Sequence, residues 1–205
     1  MDLEEKTNSA YVNIAKEFSD KRQFNWDWID NFVNSIDRGS NILDIGCGNG
    51  RNMKYDGYNF IGIDNCPQFI NICQNDKLNV LNCDMTSIPI QDNTFNAIIS
   101  IASFHHLATV DRRIAALKEM KRLLHAGGKI LLSIWSVNQK QNPKLNFEYG
   151  DNDVPFKNKD GSILATRHYY IFKISEIRSL ISREFQIENH TWDHGNEIFV
   201  LSHKN

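Results

Sequence analysis

The chain of 205 residues lacks the features that mark membrane, secreted and disulfide-rich proteins. It has only four cysteines and four prolines, and the cysteines show no C-x-x-C spacing, so we expect reduced thiols. No apolar run is long enough to span a bilayer. The acidic start, Met1–Glu5, is unlike a signal peptide. These absences predict a soluble protein that is not bound to membranes and is located in the cytoplasm, with the nucleus as a second compartment.

The chain also lacks an excess of positive charge, because its 23 Lys and Arg residues are outnumbered by 25 Asp and Glu residues and the formal net charge is −2. This value argues against a surface coated with positive potential for nucleic acid, but it is compatible with a local basic face. Hydrophobic residues make up 41% and charged residues 23% of the chain, which is typical of a globular protein. The length predicts a single domain over residues 1–205.

The spacing of apolar residues predicts an α/β fold. Two helical patterns occupy residues 1–38, and five apolar segments with helical patterns among them follow as strands at 42–45, 59–63, 77–83, 95–101 and 129–135. Two more strands, 185–191 and 197–202, close the chain. This order predicts a Rossmann-like, seven-stranded, mostly parallel sheet with helices on both faces and a C-terminal antiparallel hairpin. The polar segment 136–166 is predicted as a long loop on the substrate side.

The most informative stretch is the end of the first strand. Asp44 ends an apolar run and is followed by glycine at every second position, at Gly46, Gly48 and Gly50. Glycine permits positive φ and lets a ligand approach the backbone closely. The aspartate and the three glycines together predict a tight turn that holds a polar small molecule.

Two further acids follow the next two strands. Asp64 lies 20 residues after Asp44, the distance at which an acid accepts hydrogen bonds from ribose hydroxyls in nucleotide-binding α/β units. Asp84 follows the third strand. Three acids disfavour a pyrophosphate, because phosphates prefer donors and positive charge. The site therefore suits a ligand with hydroxyls, an amine and a cationic centre.

This pattern resembles the class I S-adenosylmethionine-dependent methyltransferases. The resemblance implies that the cofactor is S-adenosylmethionine, that Asp64 holds its ribose, and that Asp84 and Met85 flank its adenine. The residues it assigns to the cofactor are Asp44, Gly46, Cys47, Gly48, Gly50, Asp64, Asn65, Asp84, Met85 and Ser100. A Gly-rich turn for another nucleotide, or without a ligand, is the alternative.

Two segments supply candidates for the substrate side. His105 and His106 follow the fourth strand; adjacent residues rarely point the same way, so we predict no metal site there. For His105, a contact beside the cofactor and plain packing both stay open. Arg167–Tyr170 combines an arginine, which binds carboxylate or phosphate in bidentate fashion, with tyrosines that offer stacking surfaces. A surface arginine beside two core aromatic residues is the alternative.

From Ile14 onward the chain resembles the eukaryotic tRNA wobble-uridine carboxymethyl methyltransferases. Phe18–Arg22 resembles "FSxTR", Asp44–Gly50 resembles "D-x-GCGNG", and Ser100–His106 resembles "SIAVxHH". Arg167–Phe172 resembles "RYYHLF", with the histidine and the outer tyrosine exchanged. Arg167 and Tyr169 therefore carry over directly, whereas the roles of His168 and Tyr170 stay open.

The resemblance implies a reaction in which 5-carboxymethyluridine in the anticodon becomes its methyl ester. A carboxylate with a pKa of about 4 is ionised at neutral pH and needs no general base. The enzyme has only to orient it, and the catalytic residues assigned by the resemblance are Arg22, Arg167, Tyr169 and His105. Two alternatives are a methyltransferase of small carboxylates or quinone precursors, and a non-catalytic binding subunit.

The tRNA anticodon loop is then the expected partner, and it requires cations. The candidates for one basic face are Lys21, Arg22, Arg112, Arg113, Lys140, Lys144, Lys157, Lys159 and Arg167. The resemblance also implies a small zinc-binding activator subunit that carries its own zinc. We expect the strand at 77–83 to be a sheet edge that can pair with a partner strand.

Overall fold

The computed structural model describes residues 2–22, 24–142 and 145–204. Two helices, α1 (Leu3–Asp20) and α2 (Asp27–Asn34), precede the first strand, as the apolar spacing predicts. A capping box starts α1: the Asp2 carboxylate accepts from the Glu5 amide at 2.8 Å, and the Glu5 carboxylate accepts from the Asp2 amide. Among the residues described, no helix is long and apolar enough to cross a membrane.

The strands are β1 (Asn41–Ile45), β2 (Asn59–Asp64), β3 (Val80–Asn82), β4 (Phe95–Ile101), β5 (Leu124–Trp135), β6 (Gly150–Lys157), β7 (Ile163–Ile171), β8 (Phe185–Asp193) and β9 (Asn196–His203). Seven of them form one sheet in the order β3-β2-β1-β4-β5-β9-β8, with β3 at one edge. The first five are parallel, and β9 and β8 form the antiparallel C-terminal hairpin. The predicted sheet is therefore confirmed.

Helices cover both faces of this sheet. One face packs against α4 (Val110–Leu123) and α5 (Ile174–Ile181), and the other packs against α2. Each face of the sheet forms its own hydrophobic core with the helices that cover it. Adjacent residues of β4 contribute to different cores: Ile98 packs in the core with α4 and α5, and Ile99 packs in the core with α2. Both are fully buried, and burial of each such side chain contributes roughly 1.5–3 kcal/mol. The remaining helix, α3 (Pro67–Asn75), begins with proline in its first turn, as expected.

The prediction of a continuous loop over residues 136–166 is wrong. β6 and β7 pair in antiparallel register as a separate two-stranded sheet. The sequence conceals β6 because it buries only Val154 and exposes alternate polar residues. β7 lies against α1 and against the turn that follows β4, since the His168 amide donates to Thr7 Oγ1 at 2.9 Å and the His168 carbonyl accepts from His106 Nδ1 at 2.9 Å.

Candidate active site

The turn after β1 depends on glycine for two different reasons. All three glycines have positive φ: 72° at Gly46, 53° at Gly48 and 71° at Gly50. A Cβ on Gly46 would lie 2.4 Å from Ser103 Cβ, and one on Gly50 would lie 2.3 Å from Leu78 Cδ1. Around Gly48 there is open space, and this residue lines a cavity. Two glycines thus permit close packing, and the third leaves the turn open to a ligand.

Asp64, at the end of β2, fastens this turn to its neighbour. Its two carboxylate oxygens accept from the Gly48 amide at 2.9 Å and from the Cys66 amide at 2.8 Å. Burial raises the pKa of Asp64 to about 6, although these backbone donors lower it in part. The side chain also lines the cavity, so its free lone pairs can accept from the hydroxyls of a ribose.

Asp44 is fully buried beside the same turn, and neither of its oxygens has a hydrogen-bond partner among the described residues. Burial raises its pKa to about 7 and Asp64 raises it further, whereas Arg51 and the Asn52 side chain lower it. Arg51 and Arg22 line the cavity, and burial together with Arg22 lowers the pKa of Arg51 to about 10. Two guanidinium groups at the cavity surface and a carboxyl group buried behind that surface thus match the charges of an amino-acid ligand.

Asp84 is held at the end of β3 by Arg112. Arg112 Nη2 donates to Asp84 at 2.6 Å and to Glu4 of α1 at 2.8 Å. Burial raises the pKa of Asp84, but hydrogen bonds from Thr86 and Arg112 outweigh burial and hold the pKa below its usual value. Arg112 therefore closes one end of the cavity, flanked by Met85, and is paired with two carboxylates rather than free for tRNA as expected.

The end of β4 forms the floor of the cavity. Ala102 lines it with a φ of +52°, a conformation that non-glycine residues hold only where the surrounding structure imposes it. Ser100 is fully buried behind this floor and pairs with Ser103 at 2.9 Å, while Ser103 Oγ donates to the Ile45 carbonyl. Ser103, not Ser100, faces the cavity.

The roof of the cavity comes from α1, which sequence reasoning did not assign to the site. One face of this helix lines the cavity through Glu4, Thr7, Asn8, Tyr11 and Phe18. The first four follow the spacing i, i+3, i+4, i+7. A polar stripe on an otherwise amphipathic helix was the available signal.

The two histidines after β4 are both neutral but have different surroundings. A carbonyl only accepts, so His106 Nδ1 donates to the His168 carbonyl and Nε2 accepts from the Tyr11 hydroxyl at 3.0 Å. Burial lowers the pKa of His106 to about 3. His105 is fully buried; its Nδ1 accepts from the Trp135 amide at 3.3 Å, and its Nε2 has no partner among the described residues. Burial holds the pKa of His105 well below its usual range.

Arg167 is a buried guanidinium enclosed by aromatic rings. It is 4% exposed, and its Cζ lies 5.6 Å from the Tyr11 ring centroid, 5.5 Å from that of Phe156 and 5.2 Å from that of Tyr169. Burial lowers its pKa, but the neighbouring Tyr169 and Tyr11 raise the pKa above its usual value, so the group stays charged. Nε and Nη1 have no hydrogen-bond partner in the part of the chain described. Such a group is suited to bind an anion.

The structure thus divides the predicted site residues into two sets. The residues predicted to bind the cofactor line the cavity together with Arg22. The exceptions are Asp44, Gly50 and Ser100, which lie behind the cavity surface. Arg167, Tyr169 and His105 lie together behind the wall that Tyr11 and His106 form, with the rings of His105 and Tyr169 4.6 Å apart.

His168 and Tyr170, whose roles the family motif left open, both form contacts between secondary-structure elements. His168 Nε2 lies 2.7 Å from Asp151 of β6, and Tyr170 donates to Glu176 at 2.9 Å beneath the guanidinium of Arg113. Arg113 is itself buried and donates to backbone carbonyls, so it is not the surface cation expected. Lys144, another expected cation, lies outside the described residues.

Comparison with curated proteins identifies two informative relatives. The tRNA (carboxymethyluridine(34)-5-O)-methyltransferase alkbh8 of Xenopus tropicalis is 41% identical over 170 residues, covering 80% of this chain and 27% of that protein. The tRNA (carboxymethyluridine(34)-5-O)-methyltransferase of Schizosaccharomyces pombe is 31% identical over 223 residues, covering 98% of this chain and 97% of that protein. The chain thus spans about a quarter of the first relative and nearly all of the second.

Two solved structures share the fold. An S-adenosylmethionine-dependent methyltransferase of Clostridium acetobutylicum has a TM-score of 0.71 at 14% identity and covers 96% of this chain and 98% of its own. A methyltransferase in complex with the Haloferax volcanii Trm112 methyltransferase activator has a TM-score of 0.68 at 15% identity and covers 98% and 99%. Residues 43–132 also match the family described as "Methyltransferase domain". The chain therefore belongs to the family of the tRNA (carboxymethyluridine(34)-5-O)-methyltransferases.

Proposed function

We propose that the protein methylates the carboxylate of 5-carboxymethyluridine at the wobble position of tRNA and so forms the methyl ester. The observation that carries this proposal is Arg167, a buried guanidinium with two unpartnered nitrogens beside the cofactor cavity. The names of the relatives support the same substrate. A buried, unpaired cation is costly for the fold, so its presence at this place favours an anionic substrate.

The residues around the cavity fit S-adenosylmethionine. Asp64 would hold the ribose, Asp84 and Met85 would flank the adenine, and Arg22 and Arg51 would hold the carboxylate of the amino-acid end, with Asp44 buried behind the cavity surface. The open turn at Gly48 is the observation that tests this fit, because an added Cβ would meet nothing within 4 Å there and a ligand can approach the backbone closely. When bound, the cofactor supplies a methyl group on a positively charged sulfur.

The substrate side needs no proton acceptor. His105 and His106 are both neutral, and a hydrogen bond at Nδ1 fixes the tautomer of each, which suits a site that orients an ionised carboxylate. Arg167 would hold the carboxymethyl group, and Tyr169 would bracket the base. We assign Arg22 to the cofactor side because it lines the cavity near Arg51.

One observation favours the alternative, a methyltransferase of small carboxylates. Of the cations expected to bind tRNA, Arg112 is paired with two carboxylates and Arg113 is buried. The chain alone therefore offers less positive charge to phosphates than the sequence predicts. We propose that an activator subunit contributes to RNA binding, since one neighbour in fold was solved with such an activator, and that β3 at the sheet edge is the strand available to it.

The decisive experiment offers methyl-labelled cofactor with tRNA that carries 5-carboxymethyluridine, in the presence and absence of a zinc-binding activator. We expect label on the tRNA that is released by mild base, as an ester requires. Matched tRNA with unmodified uridine is the control and should stay unlabelled. Label only on small carboxylates would establish the alternative.

A further inference from the structure

Tyr11 lies where the wall of the cofactor cavity meets the strand that carries Arg167. It lines the cavity, and its hydroxyl donates to His106 Nε2 at 3.0 Å. His106 Nδ1 donates in turn to the carbonyl of His168, 2.9 Å away on β7. One chain of hydrogen bonds therefore leads from α1, through the turn after β4, to the residue next to Arg167.

A second contact fixes the same position of β7. The amide of His168 donates to Thr7 Oγ1 at 2.9 Å, and Thr7 also lines the cavity. Both backbone polar groups of His168 are thus held from the cavity side, one by Thr7 and one by His106. His168 lies between Arg167 and Tyr169, so these contacts set where both side chains stand.

The hydroxyl of Tyr11 is separable from the packing of its ring. The ring contacts Phe18 and Phe69 at centroid distances of 5.5 and 5.8 Å, and it lies 5.6 Å from the Arg167 guanidinium. The contacts with Phe18 and Phe69 need only the aromatic ring. The hydroxyl joins α1 to β7, both through its hydrogen bond to His106 and through its interactions with Tyr169 and Arg167.

On the basis of the proposed function, we propose that Tyr11 is a positioning residue that couples cofactor binding to the assembly of the Arg167 anion site. One hydrogen-bonded path to His168 runs through Thr7, and the other runs through Tyr11 and His106. A ligand that contacts these three residues restricts the motion of their side chains and therefore of both paths. The ordering of β7 is then already complete when the carboxylate arrives. Cofactor and substrate therefore bind with positive coupling, and the Tyr11 hydroxyl carries most of it.

The first test follows β7 without any RNA. Hydrogen exchange of the backbone amides in residues 163–171 is measured with and without saturating S-adenosylhomocysteine. We expect the ligand to slow exchange about fivefold or more in the unmodified protein, and less than about twofold in Tyr11→Phe, in keeping with usual coupling energies. Tyr58→Phe is the matched control, because it loses a hydroxyl bond to the Ile36 carbonyl outside the site.

A second variant and a second readout make the test decisive. Thr7→Val removes the acceptor of the His168 amide and should also reduce the ligand-induced protection of β7. The dissociation constant of tRNA with 5-carboxymethyluridine should fall about 10-fold when S-adenosylhomocysteine is added, and about twofold or less in Tyr11→Phe. Tyr11→Phe should still bind S-adenosylhomocysteine within about threefold of normal, because one neutral hydrogen bond at the cavity wall contributes little.

Equal protection of β7 in Tyr11→Phe and the unmodified protein would overturn the proposal, as would the absence of protection in both. The exchange measurement separates this result from the proposed function. If tRNA receives no ester but β7 is protected through Tyr11, the coupling stands and the substrate assignment fails.

Discussion

Asp44 and Arg167 are both buried charged residues with unpartnered polar atoms among the described residues, but they respond to burial in opposite ways. Burial raises the pKa of Asp44 to about 7, so this carboxyl can relieve its burial by taking a proton. The pKa of Arg167 lies above its usual value despite burial, because Tyr169 and Tyr11 raise it. Asp44 can thus adjust its charge, whereas Arg167 keeps a fixed positive charge that only an anion can neutralise.

The largest effect is expected on the cofactor side, from Asp64→Ala. The substitution removes the acceptor for the ribose and releases the Gly48 and Cys66 amides. Hydrogen bonds to a charged group contribute about 1.5–3 kcal/mol each, so affinity for S-adenosylhomocysteine should fall about 100-fold or more. Calorimetry checks this, with exposed Asp37→Ala as the control. An unchanged affinity would refute the cofactor assignment.

The next effect sharpens the contrast, because Arg167→Ala should act on the substrate alone. Loss of the fixed cation should reduce kcat/KM for carboxymethylated tRNA about 100-fold, the scale for removal of one partner from a buried charged pair. Affinity for S-adenosylhomocysteine should stay within about threefold, because Arg167 lies behind the cavity wall. Exposed Arg178→Ala is the control. Full activity of Arg167→Ala would remove it from the site.

Asp44→Asn tests whether the buried carboxyl serves the ligand at the expense of the fold. It should weaken the binding of S-adenosylhomocysteine about 10-fold at pH 8, since the negative charge behind the cavity surface no longer attracts the ammonium. In the unmodified protein the affinity should decline as pH falls through the Asp44 pKa of about 7, and this decline should be weaker in the variant. Calorimetry from pH 8 to pH 6 checks both effects.

The same substitution should stabilise the protein without ligand. The pKa of Asp44 in the folded state, about 7, lies above the ordinary value of 3.8, so the folded state binds the proton more tightly and loses stability as pH rises between these values. Asn removes that cost, and the free energy of unfolding at pH 8 should rise by about 1–3 kcal/mol. Urea unfolding measures it, with exposed Asp56→Asn as the control. A less stable Asp44→Asn would contradict this reading of the buried carboxyl.

The smallest effect is expected from Arg112→Gln, at the end of the cavity between α1 and β3. Its partly exposed ion pairs with Glu4 and Asp84 should contribute about 1 kcal/mol to stability. Affinity for S-adenosylhomocysteine should fall only about two- to fivefold, because the contacts to the ligand itself remain. Thermal unfolding and calorimetry test this against exposed Lys118→Gln. A loss as large as that of Asp64→Ala would mean that Arg112 contacts the ligand.

The meeting of the Gly-rich turn and the strand-end acids around one cavity could be predicted from the sequence, because these parts are local. Gly46, Gly48 and Gly50 follow Asp44 directly, and parallel strands bring Asp64 and Asp84 to the same edge of the sheet. The position of each of these residues is fixed once its own strand has its place in the sheet. The order of the sheet and its hairpin follow in the same way from strand length and spacing, and the structure confirms them.

The substrate side was harder because its contacts join residues far apart in the chain. Tyr11, His106 and Arg167 meet only after α1 and β7 have packed together, across more than 150 positions between Tyr11 and Arg167. The sequence showed no sign that Arg112 pairs with Glu4 and Asp84, since a free and a paired arginine look alike in one dimension. β6 was missed because half-exposed strands carry the same polar residues as loops.

By itself, the sequence determined the parallel sheet, the Gly-rich turn and the acids at the strand ends, because local periodicity and glycine geometry act over a few residues. It also determined that an arginine and a tyrosine follow the polar segment. Only the tertiary structure decided that Arg167 is buried among three rings without a carboxylate partner among the described residues, and that α1 forms the roof of the cavity. Burial and charge pairing are properties of packed neighbours, and packing is settled only when distant segments meet.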